Sequence, residues 1–324
     1  MPTVRGSLRR LLLTPSLEQV SFQRRGFPVE SSETTRELER IPEAVICGFE
    51  WGIDARDQVE VEHRLSLVTP ELQGFAYEGV TMAFTVLDVT GPRRGRRVRN
   101  LLLGPGHRHI FLAYIGIGFA MARLPRPLWR HVIPDLAGSP YHPTMTWLAV
   151  DGYGFDRAYF DTGTWVCQQR RASRYPWQGS PDYFPRAVDQ GVGRALWFIH
   201  GADPTRVAGA VSKFARERHA DLWSGVGLAA AFAGGCGSEG LAALRESSGE
   251  QWPDLAQGAV FAAKARSFSE VVPGHTRVAV AALTGMSVAA AATLADAAEA
   301  PPCAEAGVPA YERWRRNVRD HFAV

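Results

Sequence analysis

The sequence predicts an all-α protein, an α/α superhelix of stacked helical hairpins in two pseudo-symmetric halves that arose by internal duplication. Three observations predict it. A glycine-centred segment recurs along the chain, and paired motifs recur again at a longer interval. The one strand-like alternation, Val59-Glu-Val61-Glu, has a plainly helical counterpart in Val207-Ala-Gly-Ala-Val211-Ser-Lys-Phe214.

The recurring segment is clearest as Gly74-Phe-Ala-Tyr-Glu-Gly79-Val-Thr-Met-Ala-Phe84. It returns as Leu112-Ala-Tyr-Ile-Gly116-Ile-Gly-Phe-Ala120 and as Leu148-Ala-Val-Asp-Gly152-Tyr-Gly-Phe-Asp156. It comes again as Asp221-Leu-Trp-Ser-Gly225-Val-Gly-Leu-Ala229 and Asp254-Leu-Ala-Gln-Gly258-Ala-Val-Phe-Ala262. Phe75, Met82 and Leu87 fall near one helical face, and no proline interrupts them. A glycine in mid-helix costs about 1 kcal/mol against alanine. Five such glycines therefore predict five places where another helix backbone comes close.

The longer interval relates Gly79 to Gly225, Gly116 to Gly258, and His142 with Gly152 to His275 with Gly285. Phe49-Glu-Trp-Gly52-Ile-Asp54 aligns with Phe198-Ile-His-Gly201-Ala-Asp203. The expected organisation is an N-terminal helical arm over 1–40 and a first helical-repeat half over 41–161. An aromatic and proline-rich connector follows over 162–189. A second half over 190–300 and a basic C-terminal helix over 301–324 complete the chain.

Within the arm, residues 5–30 read as a short basic amphipathic helix and a turn, anchored by Phe22 and Phe27. Ser32 with Thr35 and Glu37 supplies the cap of the next helix. Helices are expected over Pro42–Trp51 and Ala55–Val68 and, after Pro70, around Gly79. The Arg93-Arg94-Gly-Arg96-Arg97 run reads as a solvated loop, with a phosphate or diphosphate contact as the alternative, since arginine forks suit such oxygens. Gly104-Pro-Gly106 precedes the Gly116 helix, and Ser139-Pro-Tyr-His-Pro143 opens the Gly152 helix. In the connector Trp165, Tyr175, Trp177, Tyr183 and Phe184 interleave with Pro176, Pro181 and Pro185. That aromatic density suits a segment laid over a surface, not a free tether. Asp203 as N-cap with Pro204 at the first helical position opens the next helix. An alanine-rich helix is expected around 285–298 and a last one over Tyr311–Phe322.

Composition narrows the function. At 324 residues the chain exceeds one ordinary core, and a net charge of +3 is too small to point to nucleic acid. Cys47, Cys167, Cys236 and Cys303 stand far apart, in neither disulfide-framework nor metal spacing. The Leu11–Leu13 run stops at Thr14-Pro15, and no apolar run reaches the length that crosses a bilayer. These features predict a cytoplasmic protein with no transmembrane segment. Phosphate loops, nucleophile elbows and zinc motifs do not occur, and no cofactor and no metal is assigned.

The chemistry must then lie where the repeat is irregular. Immediately before the glycines stand Glu78, Ile115 and Asp151 in the first half, against Ser224, Gln257 and Thr284 in the second. Carboxylates occur only in the first half. Asp151 opens the stretch Asp151-Gly-Tyr153-Gly-Phe155-Asp156, and a poorly solvated carboxylate among aromatics suits a general acid. Asp151, Glu78 and Asp156 are the candidate catalytic residues. Each also has a plain structural reading: a helix-end hydrogen bond for Asp151, a surface pair with Arg157 for Asp156. His107, His109, His63, His200 and the matched pair His142 and His275 read as capping or packing residues.

Several further stretches carry a family resemblance. Arg5-Gly-Ser-Leu-Arg-Arg-Leu-Leu, Phe22-Gln-Arg-Arg-Gly-Phe27 and Gly74-Phe-Ala-Tyr-Glu-Gly79 are three of them. Leu148-Ala-Val-Asp-Gly-Tyr-Gly-Phe155, Gly193-Arg-Ala-Leu-Trp-Phe198 and Gly201-Ala-Asp-Pro204 follow, with the segments at Asp221 and Leu255. In combination the chain resembles domain-of-unknown-function family 1702 over nearly its whole length. That resemblance implies a place beside enediyne polyketide synthases in actinobacterial natural-product clusters. Histidine often stands in that family where this chain has Asp156 and Asp161.

The expected function is an enzyme of specialised metabolism, of lyase, cyclase or isomerase type, acting on a long hydrophobic polyene or isoprenoid. Tyr77, Tyr114, Tyr153, Phe155, Trp197 and Trp223 would line an aromatic trough between the halves, where ring faces stabilise a passing cation. The alternative is a helical-repeat binding protein that sequesters an enediyne-type intermediate or docks other biosynthetic enzymes.

Overall fold

A computed structural model describes residues 16–91, 95–300 and 307–323, and the description is all-helical, with no β-strand among these residues. After a single α-helical turn at Phe22–Arg25, the longer helices in chain order are α1 (Glu33–Asp54), α2 (Gln58–Ser66), α3 (Pro70–Thr90), α4 (Arg97–Leu103) and α5 (Ile110–Met121). They continue as α6 (Trp147–Phe160), α7 (Phe184–Ile199), α8 (Pro204–Val211), α9 (Arg216–Ala233) and α10 (Ser238–Ser248). The last are α11 (Trp252–Phe268), α12 (Gly274–Thr284), α13 (Val288–Ala297) and α14 (Ala310–Asp320).

Local chemistry explains most boundaries. Ser32 and Thr35 cap α1 reciprocally, each side-chain oxygen accepting from the other's backbone N–H at 3.1 and 2.7 Å. The expected break at Pro42 does not occur: α1 runs through it. Its buried face of Leu38, Ile41, Val45, Phe49 and Ile53 outweighs the one hydrogen bond that a proline removes. Val59-Glu-Val61-Glu is helical, in α2, where the Asp57 carboxylate accepts from the Glu60 N–H. Asp203 does the same for Arg206 at the start of α8, with Pro204 next. The expected arm helix lies largely outside the described residues, as do Arg93, Arg94 and Cys303. Both expected anchors, Phe22 and Phe27, are buried.

The described chain forms two compact units. The first comprises residues up to Arg25 with Glu39–Tyr153, and the second Gly26–Leu38 with Gly154 onward. In the first, α1, α3, α5 and the opening of α6 stack through glycines. A Cβ at Gly48 would strike Ala76 of α3, and one at Gly79 would strike Val45 of α1. One at Gly116 would strike Glu78, and the α5–α6 contact is reciprocal, Gly118 on Ala149 and Gly152 on Ile115. The second unit repeats the device, with Gly154 on Val188 and Gly193 on Leu222 answered by Gly225 on Gln190. Gly227 on Leu255 is answered by Gly258 on Ser224. All five glycines expected at crossings are there.

Two features differ from expectation. Gly285 is no crossing glycine: it ends α12 in the left-handed conformation at φ +73°, a helix stop that glycine adopts without strain. Its pairing with Gly152, and of Thr284 with Asp151, therefore fails. The repeat member that sequence reasoning passed over is in α7, Gln190-Gly-Val-Gly193, where Gly193 makes the contact. Before α7, residues 161–183 are mostly irregular, with Trp165 and Trp177 buried and the residues between them largely exposed.

Candidate functional site

The glycine crossings place the row of residues that precede them. In the first unit the Gly116 position abuts the Glu78 backbone, and the Gly152 position abuts that of Ile115. Glu78 and Asp151 thus sit in one layer of neighbouring helices, 2 % and 1 % exposed. Tyrosines two residues before the glycines flank this layer. Tyr77 stacks on His109 with ring centroids 4.5 Å apart, and burial lifts its phenol above the ordinary range. The hydroxyl of Tyr114, fully buried, lies 3.1 Å from His142 Nδ1. Burial raises the Tyr114 phenol and lowers the His142 imidazole, both shifts favouring the uncharged forms. Tyr153 is half-buried, edge-on to Trp129 at 4.9 Å.

The remaining candidates belong to the second unit. Asp156 is buried, which removes its reading as half of a surface pair. Asp161 is exposed and accepts from the Thr164 N–H at 3.3 Å, closing the end of α6. Phe155 packs on Tyr159 and Phe198 with the Arg194 guanidinium 5.0 Å over its face. Trp197 is fully buried and donates to the Gly234 carbonyl at 2.8 Å, and Trp223 is buried in α9. The structure therefore groups Glu78, Asp151, Tyr77, Tyr114 and Tyr153 in one unit and Asp156, Phe155, Trp197 and Trp223 in the other.

Sequence reasoning missed the largest polar cluster, buried in the second unit around α14. Arg315, fully buried, donates to Asp221 at 2.8 Å, to Glu312 at 2.9 Å and to the Tyr183 hydroxyl at 2.7 Å. Its Nε meets Gln257 Oε1 at 3.0 Å, which also accepts from Ser224 at 2.8 Å, while Gln190 bonds the Tyr311 hydroxyl at 3.0 Å. Arg186 forks onto Asp221 at 2.9 and 3.2 Å and reaches Glu312 at 3.1 Å. Arg319 joins Glu312 at 2.7 Å and Asp254 at 3.3 Å. Burial alone would raise Glu312, but Arg315, Arg319 and Arg186 pull it down to about 2. Asp254, with its more distant partner, is lifted by burial to about 6. The signal was present: Asp221 and Asp254 each stand four residues before a crossing glycine. Arg315 shares a helical face with Tyr311, Trp314 and Val318.

Thus in the second unit the row before the glycines, Gln190, Ser224 and Gln257, is hydrogen-bonded within itself and to α14. In the first it carries Glu78 and Asp151. Among the described residues no three His, Cys, Asp or Glu side chains converge as metal ligands, and no single helix is long and apolar enough to cross a membrane. Compared with known families, the sequence matches one profile, described as a protein of unknown function, DUF1702, over residues 4–322. The chain belongs to the DUF1702 family. No curated protein and no solved structure matches it. The family's span covers both units, so the Glu78–Asp151 layer and the α14 cluster both fall within it.

Proposed function

We propose that this DUF1702 protein is an enzyme of specialised metabolism. It carries out cyclase- or isomerase-type acid–base chemistry on a long hydrophobic polyene or isoprenoid. The observation that carries this reading is the burial of two carboxylates, Glu78 and Asp151, in one helix-crossing layer beside Tyr77 and Tyr114. Carboxyl groups held away from water can deliver and recover a proton on a hydrophobic substrate without the solvent competing for it. In the proposed step the Asp151 carboxyl gives its proton to an alkene carbon, leaving a carbocation and a carboxylate. Tyrosine faces stabilise the cation. Loss of a proton from a neighbouring carbon to a carboxylate closes the cycle with no net acid consumed.

Incubation with a conjugated heptaene and with prenyl diphosphates, with and without Mg²⁺, followed by mass spectrometry of the organic extract, tests the activity. Asp151→Asn and Glu78→Gln should lower turnover by roughly two to four orders of magnitude. Melting should stay within about 1–2 kcal/mol of the parent. A folded, fully active Asp151→Asn variant ends the assignment of that residue. Ligand binding without turnover in the parent would favour the alternative, a helical-repeat protein that holds a polyketide intermediate or docks a synthase.

We also propose that the helical stack arose by internal duplication. The order α1, α2, α3, α4, α5 recurs as α7, α8, α9, α10, α11, long helices alternating with short ones. Asp57 and Asp203 cap the first short helix of each set, and they lie 146 residues apart, as Gly79 and Gly225 do.

A further inference from the structure

Residues 168–176 form an irregular arch whose two ends are fixed by buried tryptophans, Trp165 before it and Trp177 after it. Its first turn, just before the arginines, is fixed as well. The Gln169 carbonyl accepts from Arg218 Nη1 at 2.7 Å, and the Gln169 side chain donates to the Lys213 carbonyl at 2.6 Å. Arg218 is itself buried and grips Asp189 through two contacts of 2.6 and 3.0 Å. Gln169 and Gln178 both adopt positive φ, +55° and +45°, a cost that surrounding structure must offset.

What it presents is cationic. Arg170, Arg171 and Arg174 are exposed within five residues, next to Gln169, whose side chain holds the backbone of exposed Lys213. Arg170 lies 5.9 Å from the Trp165 ring, Arg171 is 3.7 Å from Glu217, and Arg174 is 2.9 Å from Asp182. Both ion pairs are more than half exposed, the class of pair that contributes little and exchanges readily for a better anion. A guanidinium fork matches a phosphoryl group, and several forks at fixed positions suit a compact, multiply charged anion better than a diffuse acidic surface.

We propose that this arch is a preorganised binding site for a phosphoryl or diphosphate group, with Arg170, Arg171 and Arg174 as its cations and Gln169 as the positioning residue. The proposal stands whether or not Asp151 is catalytic. Titration calorimetry on the full-length protein tests it, with inorganic pyrophosphate, a prenyl diphosphate and the matching prenyl alcohol as probes. Pyrophosphate should bind, more weakly as sodium chloride is raised to about 0.5 M. Arg171→Gln and Arg174→Gln should each weaken it by about tenfold with unchanged melting. Gln169→Leu should weaken it severalfold although no charge is altered. Equal binding of the two diphosphates supports a site for the free anion, and tighter binding of the prenyl form supports a site for a tailed ligand. Failure of the parent to bind either diphosphate overturns the proposal, as does a Gln169→Leu protein that binds like the parent, since net charge alone would then suffice. Should Gln169→Leu lower the melting temperature, the two exposed arginine variants decide it: unchanged affinity in both refutes the site.

Discussion

Replacing Gly225 by alanine adds a single methyl group to the second unit, and the structure fixes what that group meets. Its Cβ would lie 2.7 Å from the Arg194 backbone nitrogen and closer still to the Gln190 carbonyl oxygen, whereas ordinary contact begins near 3.4 Å. Both obstacles are backbone of α7, which cannot yield atom by atom, so the helix must retreat by at least about 0.7 Å. That retreat would also open the reciprocal contact at Gly193 on Leu222. Overpacking of this kind costs about 1–3 kcal/mol, partly offset by the gain of roughly 1 kcal/mol that alanine brings to a helix interior. That leaves about 0–2 kcal/mol, and because two backbone atoms obstruct the methyl at once the loss is expected at the upper end, about 2 kcal/mol. Gly209 supplies the control. It lies within α8 of the same unit with nothing within 4 Å of its Cβ position, so Gly209→Ala should gain about 0.5–1 kcal/mol. Urea unfolding followed by tryptophan fluorescence and circular dichroism reads both variants in the transition they share. A Gly225→Ala protein as stable as the parent, or a Gly209→Ala protein that loses as much, would refute the crossing argument.

Further outcomes follow from the α14 cluster. Arg315→Met leaves Asp221 and Glu312 buried with Arg186 and Arg319 as remaining partners, so a loss of about 3 kcal/mol is expected, read as a lower urea midpoint at unchanged slope. Stability should also depend on pH with opposite signs in two windows. Asp254 is raised to about 6 from 3.8, so its contribution is complete below pH 3.8 and is lost as pH rises through 6. Between these limits the slope is about 1.4 kcal/mol per pH unit, and Asp254→Asn should flatten it. Glu312 is lowered to about 2 from 4.5, so its contribution holds above pH 4.5 and is lost as pH falls toward 2. Asp189 and His200 titrate over the same window with opposite signs, so the test is the difference between variant and parent: an Asp254→Asn protein whose slope between pH 4 and pH 6 matches the parent's would contradict the Asp254 assignment.

The helical class was legible because the chain states it locally, in glycines at fixed places within apolar runs and in Asp203 as a cap before Pro204. Boundaries were less legible where tertiary burial overrides a local signal. Pro42 reads as a break, yet the apolar face from Leu38 to Ile53 carries α1 across it. Gly285 matched Gly152 in spacing, but spacing does not distinguish a glycine that admits a neighbour from one that ends a helix at positive φ. The Glu78–Asp151 layer was found through its irregularity within the repeat. The α14 cluster was missed for the opposite reason. Its partners are spread from Tyr183 to Arg319, and charges that far apart in sequence reveal their pairing only when the helices are assembled.

That cluster bears directly on how Asp151 and Glu78 are to be tested. A helix crossing fixes where the residue before its glycine sits, and what faces it decides its chemistry. In the second unit Gln190, Ser224 and Gln257 occupy the row, and they bond to one another and to Tyr311 and Arg315 of α14. Polar residues in this row can therefore serve packing, and burial by itself does not make a carboxylate catalytic. An amide keeps the shape of a carboxylate and one of its acceptors but does not give up a proton at useful pH. A structural carboxylate replaced by its amide should leave turnover alone and move stability, while a catalytic one should do the reverse. The Asp151→Asn and Glu78→Gln variants must accordingly be read in both quantities on the same protein sample, and only lost turnover at retained stability supports the chemistry proposed for them.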